Sequence, residues 1–298
     1  MREWGKIGIS SRARRDDMEK KKSGFSHDSA QTAYETGRAY YDAQEYDRAF
    51  ACFLQAADAG HTDAENCLGC CYEAGQGIPR DDKAAVNHYR HAAWHGNVFA
   101  QYNLGNCYFE GRGVKRDDKA AFEWFRLAAQ NGYALAQHRT GLCCLSGIGT
   151  EKNAREAANW FRLAANQGDT QAQCDLGSCY FGGKGVEQSA GKAFRLFRAA
   201  AMKGNAEAMN NLGYCFRFGH GVRKSERRAF RCFRAAARRG CAGAQYNLGL
   251  CYATGHGVQR DEQQALLLFE RAAAGGYPAA TNLLQNLRTA QTTEDSDE

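Results

Sequence analysis

Cys67, Cys70 and Cys71 stand as C-x-x-C-C, and His88, His91 and His95 follow at i, i+3 and i+7, a spacing that can bring three imidazoles to one helix face. Thiolates and imidazoles so placed are the material of a zinc centre, which asks for about four ligands, usually as two close pairs. No second cysteine pair of this kind exists, so no metal is expected. His88 and His91 take registers held elsewhere by Trp124 and Leu127, which reads as packing. Paired glycines such as Gly75/Gly77 and Gly111/Gly113 carry the G-x-G of a phosphate loop. They open no strand–helix unit, so a dinucleotide cofactor is not expected either. No Ser/His/Asp or paired-carboxylate arrangement recurs. The chain reads as non-enzymatic, with no catalytic residue and no cofactor.

Most of these residues belong to a period instead. Gly37, Gly69, Gly105, Gly141, Gly177, Gly213 and Gly249 are spaced by 32 and then five times by 36 residues. One unit reads AQYNLGNCYFEGRGVKRDDKAAFEWFRLAAQNG, from Ala100 to Gly132. It parses into two helices by apolar spacing: Ala100, Leu104, Gly105 and Tyr108, then Ala120, Ala121, Trp124, Phe125, Ala128 and Ala129. A mid-helix glycine costs about 1 kcal/mol against alanine, so its repetition predicts close approach of the partner helix. The G-x-G pairs lie between the helices, and Gly60, Gly96, Gly132, Gly168, Gly204, Gly240 and Gly276 end the second helix. With the first set these account for 26 of the 33 glycines, which makes most of the glycine architectural.

The run LG-x-C-Y-x-x-G-x-G-V, followed by K/R-A, W/F-F-R, A-A and a closing Gly, resembles the Sel1-like repeat family, relatives of the tetratricopeptide repeat. The resemblance covers about Gln31 to Leu287 and implies an all-α fold, a right-handed α-solenoid of stacked helix-turn-helix repeats. The expected organisation is a basic, disordered arm over 1–29, the repeats over 30–288 and an acidic tail over 289–298. Within the repeats come one short unit closer to a tetratricopeptide, six 36-residue units and a capping helix from Ala279 to Leu287.

Composition excludes other classes. Net charge is +6 over 298 residues, too weak alone to argue for nucleic acid. Mean hydropathy is −0.62, and no apolar run nears the roughly 18 residues of a membrane span. The first residues show neither a secretory apolar stretch nor an acid-poor presequence. Cys71, Cys107, Cys143, Cys179, Cys215 and Cys251 share one register, where the first unit has Ala39; a small buried position is expected. The cysteine-rich secreted branch of the family that this chain resembles pairs cysteines between helix ends. This chain has Ala-Ala there, so those disulfides and the branch's penicillin-binding or β-lactamase activity are not carried over. Thirteen cysteines, an odd number, fit free thiols in the cytoplasm.

By the same resemblance, the concave groove is lined by the first helix of each unit, at three residues before the glycine and one, four and five after it. This gives Tyr102, Asn106, Phe109 and Glu110; His138, Leu142, Leu145 and Ser146; Cys174, Ser178 and Phe181; Asn210, Tyr214, Arg217 and Phe218; and Tyr246, Leu250 and Ala253. Aromatics and leucines in such numbers point to protein or peptide partners. The clamp for chaperone tails is poorly matched, since only Asn103 and Arg139 fit it. A second candidate is Arg227, Arg231, Arg234 and Arg238, at i, i+4, i+7 and i+11, a face for an acidic partner or simply a solvated one. Nucleic acid is not expected, because no aromatics interleave with these arginines. The functional expectation is a scaffold or adaptor that binds proteins through its groove. The alternatives are an enzyme of the cysteine-rich secreted branch and a pathway-specific regulator in protein quality control or signalling.

Overall fold

The computed structural model describes residues 27–294, which form fifteen helices and no strand. Most of the basic arm and the last four residues of the acidic tail lie outside the described residues. The chain divides into two compact units, one up to Asn131 and one from Gly132, where the sequence reads an uninterrupted run of repeats.

The first unit holds α1 (His27–Asp42), α2 (Tyr46–Asp58), α3 (Thr62–Ala74), α4 (Asp82–Trp94), α5 (Val98–Glu110) and α6 (Asp118–Gln130). The second holds α7 (Ala134–Ser146), α8 (Ala154–Asn166), α9 (Thr170–Gly182), α10 (Ala190–Met202), α11 (Ala206–Phe218), α12 (Glu226–Ala237), α13 (Ala242–Thr254), α14 (Glu262–Ala274) and α15 (Pro278–Glu294). Odd-numbered helices open a pair and are called helix A; even-numbered ones close it as helix B. Within each unit, helix A packs on its own helix B, and helix B packs on the next helix A.

Local chemistry sets the boundaries. From α4 onward, helix B begins at a side-chain cap: Asp117 accepts from the Ala120 amide, Asn153 from Glu156, Ser189 from Lys192 and Asp261 from Gln264. Such caps are worth about 1 kcal/mol each. Helix A stops where the first glycine of G-x-G turns left-handed, as Gly111 does at φ 74°. The second glycine locks one repeat to the last: a Cβ on Gly113 would collide with the Asp82 carbonyl at the start of α4. The first pair lacks G-x-G-V and turns instead through Gln44 at φ 62°.

The predicted close approach is present. A Cβ on Gly105 would come within 2.6 Å of the Phe125 ring, and the same holds for Gly141 on Phe161 and Gly213 on Phe233. Those rings are fully buried, each in the core of its own unit. The six register cysteines are all buried. Ala39, at the same register in α1, is exposed, contrary to the expected burial. In α3 the equivalent Cys71 packs with Ala49, Phe53 and Ala56 of the preceding α2; among the described residues no helix plays that part for Ala39. The last helix also outruns the expected Leu287 and reaches Glu294, because neither Gly nor Pro interrupts that stretch.

Candidate partner-binding surface

The helix-A glycine leaves one side of the helix-B ring uncovered, and neighbouring aromatics lean on it. In the first unit Tyr102 and Phe109 sit at 5.6 and 6.5 Å from the Phe125 ring, with Arg116 at 5.6 Å over Phe109. Both are half-buried, as is Asn106. In the second unit Tyr246 leans in the same way on Phe269, at 5.5 Å, and on Tyr277, at 5.2 Å. Leu142, Leu145 and Leu250 are likewise half-buried.

The most open aromatics of this face cluster in the second unit. Tyr214 is 41% and Phe218 50% exposed, with their rings 4.5 Å apart. Phe181, on the preceding helix A, stands edge-on to Tyr214 at 6.0 Å. His220 joins them, stacked on Tyr214 at 5.8 Å and edge-on to Phe181 at 5.1 Å. Arg217 lies 5.4 Å over Phe218.

His220 lies between the paired glycines Gly219 and Gly221, a position that the sequence did not single out. The middle residue of G-x-G reaches back to the fourth residue after the preceding helix-A glycine. Gln76 accepts a hydrogen bond from the Tyr41 hydroxyl at 2.6 Å, Arg112 pairs with Glu73, and His220 meets Phe181. Its variability is that of a contact matched to a changing partner.

The position three before the glycine serves a second purpose that the sequence reading also missed. Asn103 donates to Asn66 at 3.1 Å, Asn247 to Asn210 at 2.9 Å and Asn211 to the Cys174 sulfur at 3.5 Å; His138 bonds Asp175 at 2.7 Å. Each rung joins a helix A to its neighbour within one unit. The recurrence of Asn two before the glycine was the available signal. Cys174 is therefore corrected: it is 3% exposed and offers nothing to a partner.

Arg227, Arg231, Arg234 and Arg238 are exposed along α12 and its C-terminal cap. None of the four forms an ion pair among the described residues, while Lys224 takes Glu226 at 3.2 Å. Arg234 lies over Phe230 at 5.6 Å. Phe230 and Phe233 do interleave with the arginines in sequence, contrary to expectation, but they are 8% and 0% exposed and belong to the core.

The histidine cluster is engaged by a carboxylate. Glu65 lies 2.7 Å from His88 and 3.1 Å from His91, and His88 stacks on Tyr72. Burial pushes the Glu65 carboxyl up, but hydrogen bonding to the two imidazoles outweighs it and holds the group at about 2. The same contact raises His91. Among the described residues no group of three or more His, Cys, Asp or Glu side chains is arranged to hold a metal ion. Burial pushes the Cys67 thiol to about 12 and Cys71 to about 11.

Among the described residues no helix is long and apolar enough to cross a membrane. The sequence profile described as Sel1 repeat matches residues 30–61, 62–97, 98–133, 134–169, 170–205, 206–241 and 242–277, the shorter first pair included. Among solved structures, the chain is similar to a Sel1 repeat protein from Oxalobacter formigenes, 30% identical over 80% of this chain and 96% of that one, with a TM-score of 0.76. It is also similar to c5321, a protective antigen present in uropathogenic Escherichia coli strains and displaying an SLR fold. There the identity is 31% and the TM-score 0.76, over 91% of this chain and 58% of that one, so the chain spans little more than half the antigen.

Proposed function

The chain belongs to the Sel1 repeat family, and on that premise we propose that it is a non-enzymatic adaptor that binds protein partners through its helix-A face. Repeat folds of this kind commonly serve protein binding, and fold alone does not choose the partner. The observation that carries the reading is the half-exposed cluster of Phe181, Tyr214, Phe218 and His220. Aromatics left open at such positions make strong interface anchors, each worth about 2 kcal/mol or more when well seated. Tyr102, Asn106 and Phe109 hold the equivalent helix-A positions in the first unit, and Leu142, Leu145, Tyr246 and Leu250 do so in the second.

The arginine face of α12 is a second contact surface in this proposal, suited to an acidic partner. The non-enzymatic part is supported by thiols raised by burial and by histidines bonded to carboxylates. A cytoplasmic setting suits the thirteen free thiols.

Photo-cross-linking in cell extract tests the proposal. A photoreactive residue at Leu250 should yield discrete protein adducts, and one at Arg162, exposed on helix B, should not. Adducts from Arg162 alone would refute the helix-A reading.

A further inference from the structure

Beside the aromatic cluster, Phe181 and Tyr214 wall a cleft of about 220 Å³ floored by Phe197, with Ser178, Asn211 and Lys184 as its polar edge. The walls are apolar and the cleft is wide enough for several waters at about 30 Å³ each, so one large apolar side chain entering it releases them. No carboxylate lines it.

The charges around it are mostly positive. Lys184 is exposed and forms no ion pair among the described residues. Arg217 spends its guanidinium on the Phe218 ring and likewise has no carboxylate partner. Of the two acids within three residues of the lining, Asp175 is bonded to His138 and Glu187 is exposed with no ion pair among the described residues. Residues 132–287 carry 20 Lys and Arg against 10 Asp and Glu. An aromatic cluster can attract a cation, but here two cations already stand beside it and one covers a ring face.

We infer that this cleft receives an acidic peptide of a partner protein: a large apolar side chain between Phe181 and Tyr214, with flanking Asp or Glu on Lys184 and Arg217. The inference rests on the helix-A reading and adds the chemistry of the ligand. Ser178 donates to the Cys174 carbonyl and Asn211 to the Cys174 sulfur, which leaves their side-chain oxygens to accept from peptide N–H groups.

The test uses the full chain and a displayed library of random peptides as the probe. Selected peptides should carry an aromatic or aliphatic residue next to Asp or Glu. Lys184→Glu and Arg217→Glu should each weaken the best peptide about tenfold, with melting unchanged, and about 1 M salt should weaken wild-type binding as the screening length falls to ~3 Å. Neutral or basic peptides that are lost on Phe181→Ala would overturn the acidic ligand and leave the helix-A reading standing. Acidic peptides indifferent to both charge reversals would do the same. Failure to select any peptide would overturn the helix-A reading, and this inference with it.

Discussion

The His220 ring stands edge-on to Phe181, 5.1 Å away at 84°, so a loop residue of one repeat completes an aromatic surface begun on the helix A before it. Two turns of sequence variation thereby meet at one spot: the loop's middle residue and the helix's fourth residue after the glycine. His220→Ala removes a ring at the edge of the cluster, not at the core. Binding of a captured partner should weaken while thermal unfolding stays close to wild type. Unchanged binding would remove His220 from the surface.

The glycines separate into two kinds under substitution. Gly105→Ala pushes a Cβ to 2.6 Å from the Phe125 ring, and overpacking of this sort costs about 1–3 kcal/mol. Gly191, in the first turn of α10, meets nothing within 4 Å and has no left-handed backbone. Gly191→Ala should be neutral or stabilising by up to about 1 kcal/mol. Denaturant unfolding of the two variants decides; equal effects would refute the close-approach account.

The Glu65 site makes stability depend on pH. Glu65 is held below its ordinary 4.5, so its contribution is present above that value and is lost as pH falls towards about 2. His91 is raised above 6.5, so its contribution is full below that value and is lost as pH rises through the raised value. The pair is therefore strongest between pH 4.5 and 6.5. Glu65→Gln should cost about 1–2 kcal/mol in that window, allowing for solvent screening, and less at alkaline pH. A difference independent of pH would contradict this.

Reversing Arg227, Arg231 and Arg238 to Glu should leave stability within about ±0.5 kcal/mol, since all three are exposed. An acidic partner that docks on α12 should be lost, most clearly at low salt. Retention of every partner would make this face merely solvated.

Alkylation reads the cysteines. In the folded protein Cys71, Cys107, Cys143, Cys179, Cys215 and Cys251 should resist modification, being buried, and burial holds the thiols of Cys71, Cys107, Cys179, Cys215 and Cys251 above their ordinary value. Unfolding without reductant should release all thirteen. Residual protected pairs would reveal disulfides and revive the secreted reading.

The repeat, the glycine registers and the six buried cysteines were legible because each repeats a local requirement: a left-handed turn, a Cβ-free crossing, a small side chain. What was not legible involves two repeats at once. The rung between Asn247 and Asn210 lies 37 residues apart, and the meeting of His220 with Phe181 needs the loop of one repeat laid over the helix of another. Ala39 shows the same limit from the other side, since its register is buried only where a preceding repeat covers it. Aligned repeats display what units share, whereas the candidate surface is made from what differs between them.

On the proposed function, the aromatics around Tyr214 bind a partner and do not hold the fold. Phe181→Ala and Phe218→Ala, made singly, should melt near the wild-type temperature while partner affinity falls about 30-fold, the equivalent of roughly 2 kcal/mol. Loss of about 3–5 kcal/mol of folding stability, the scale for a deep core aromatic, with binding per folded molecule unchanged would contradict the claim.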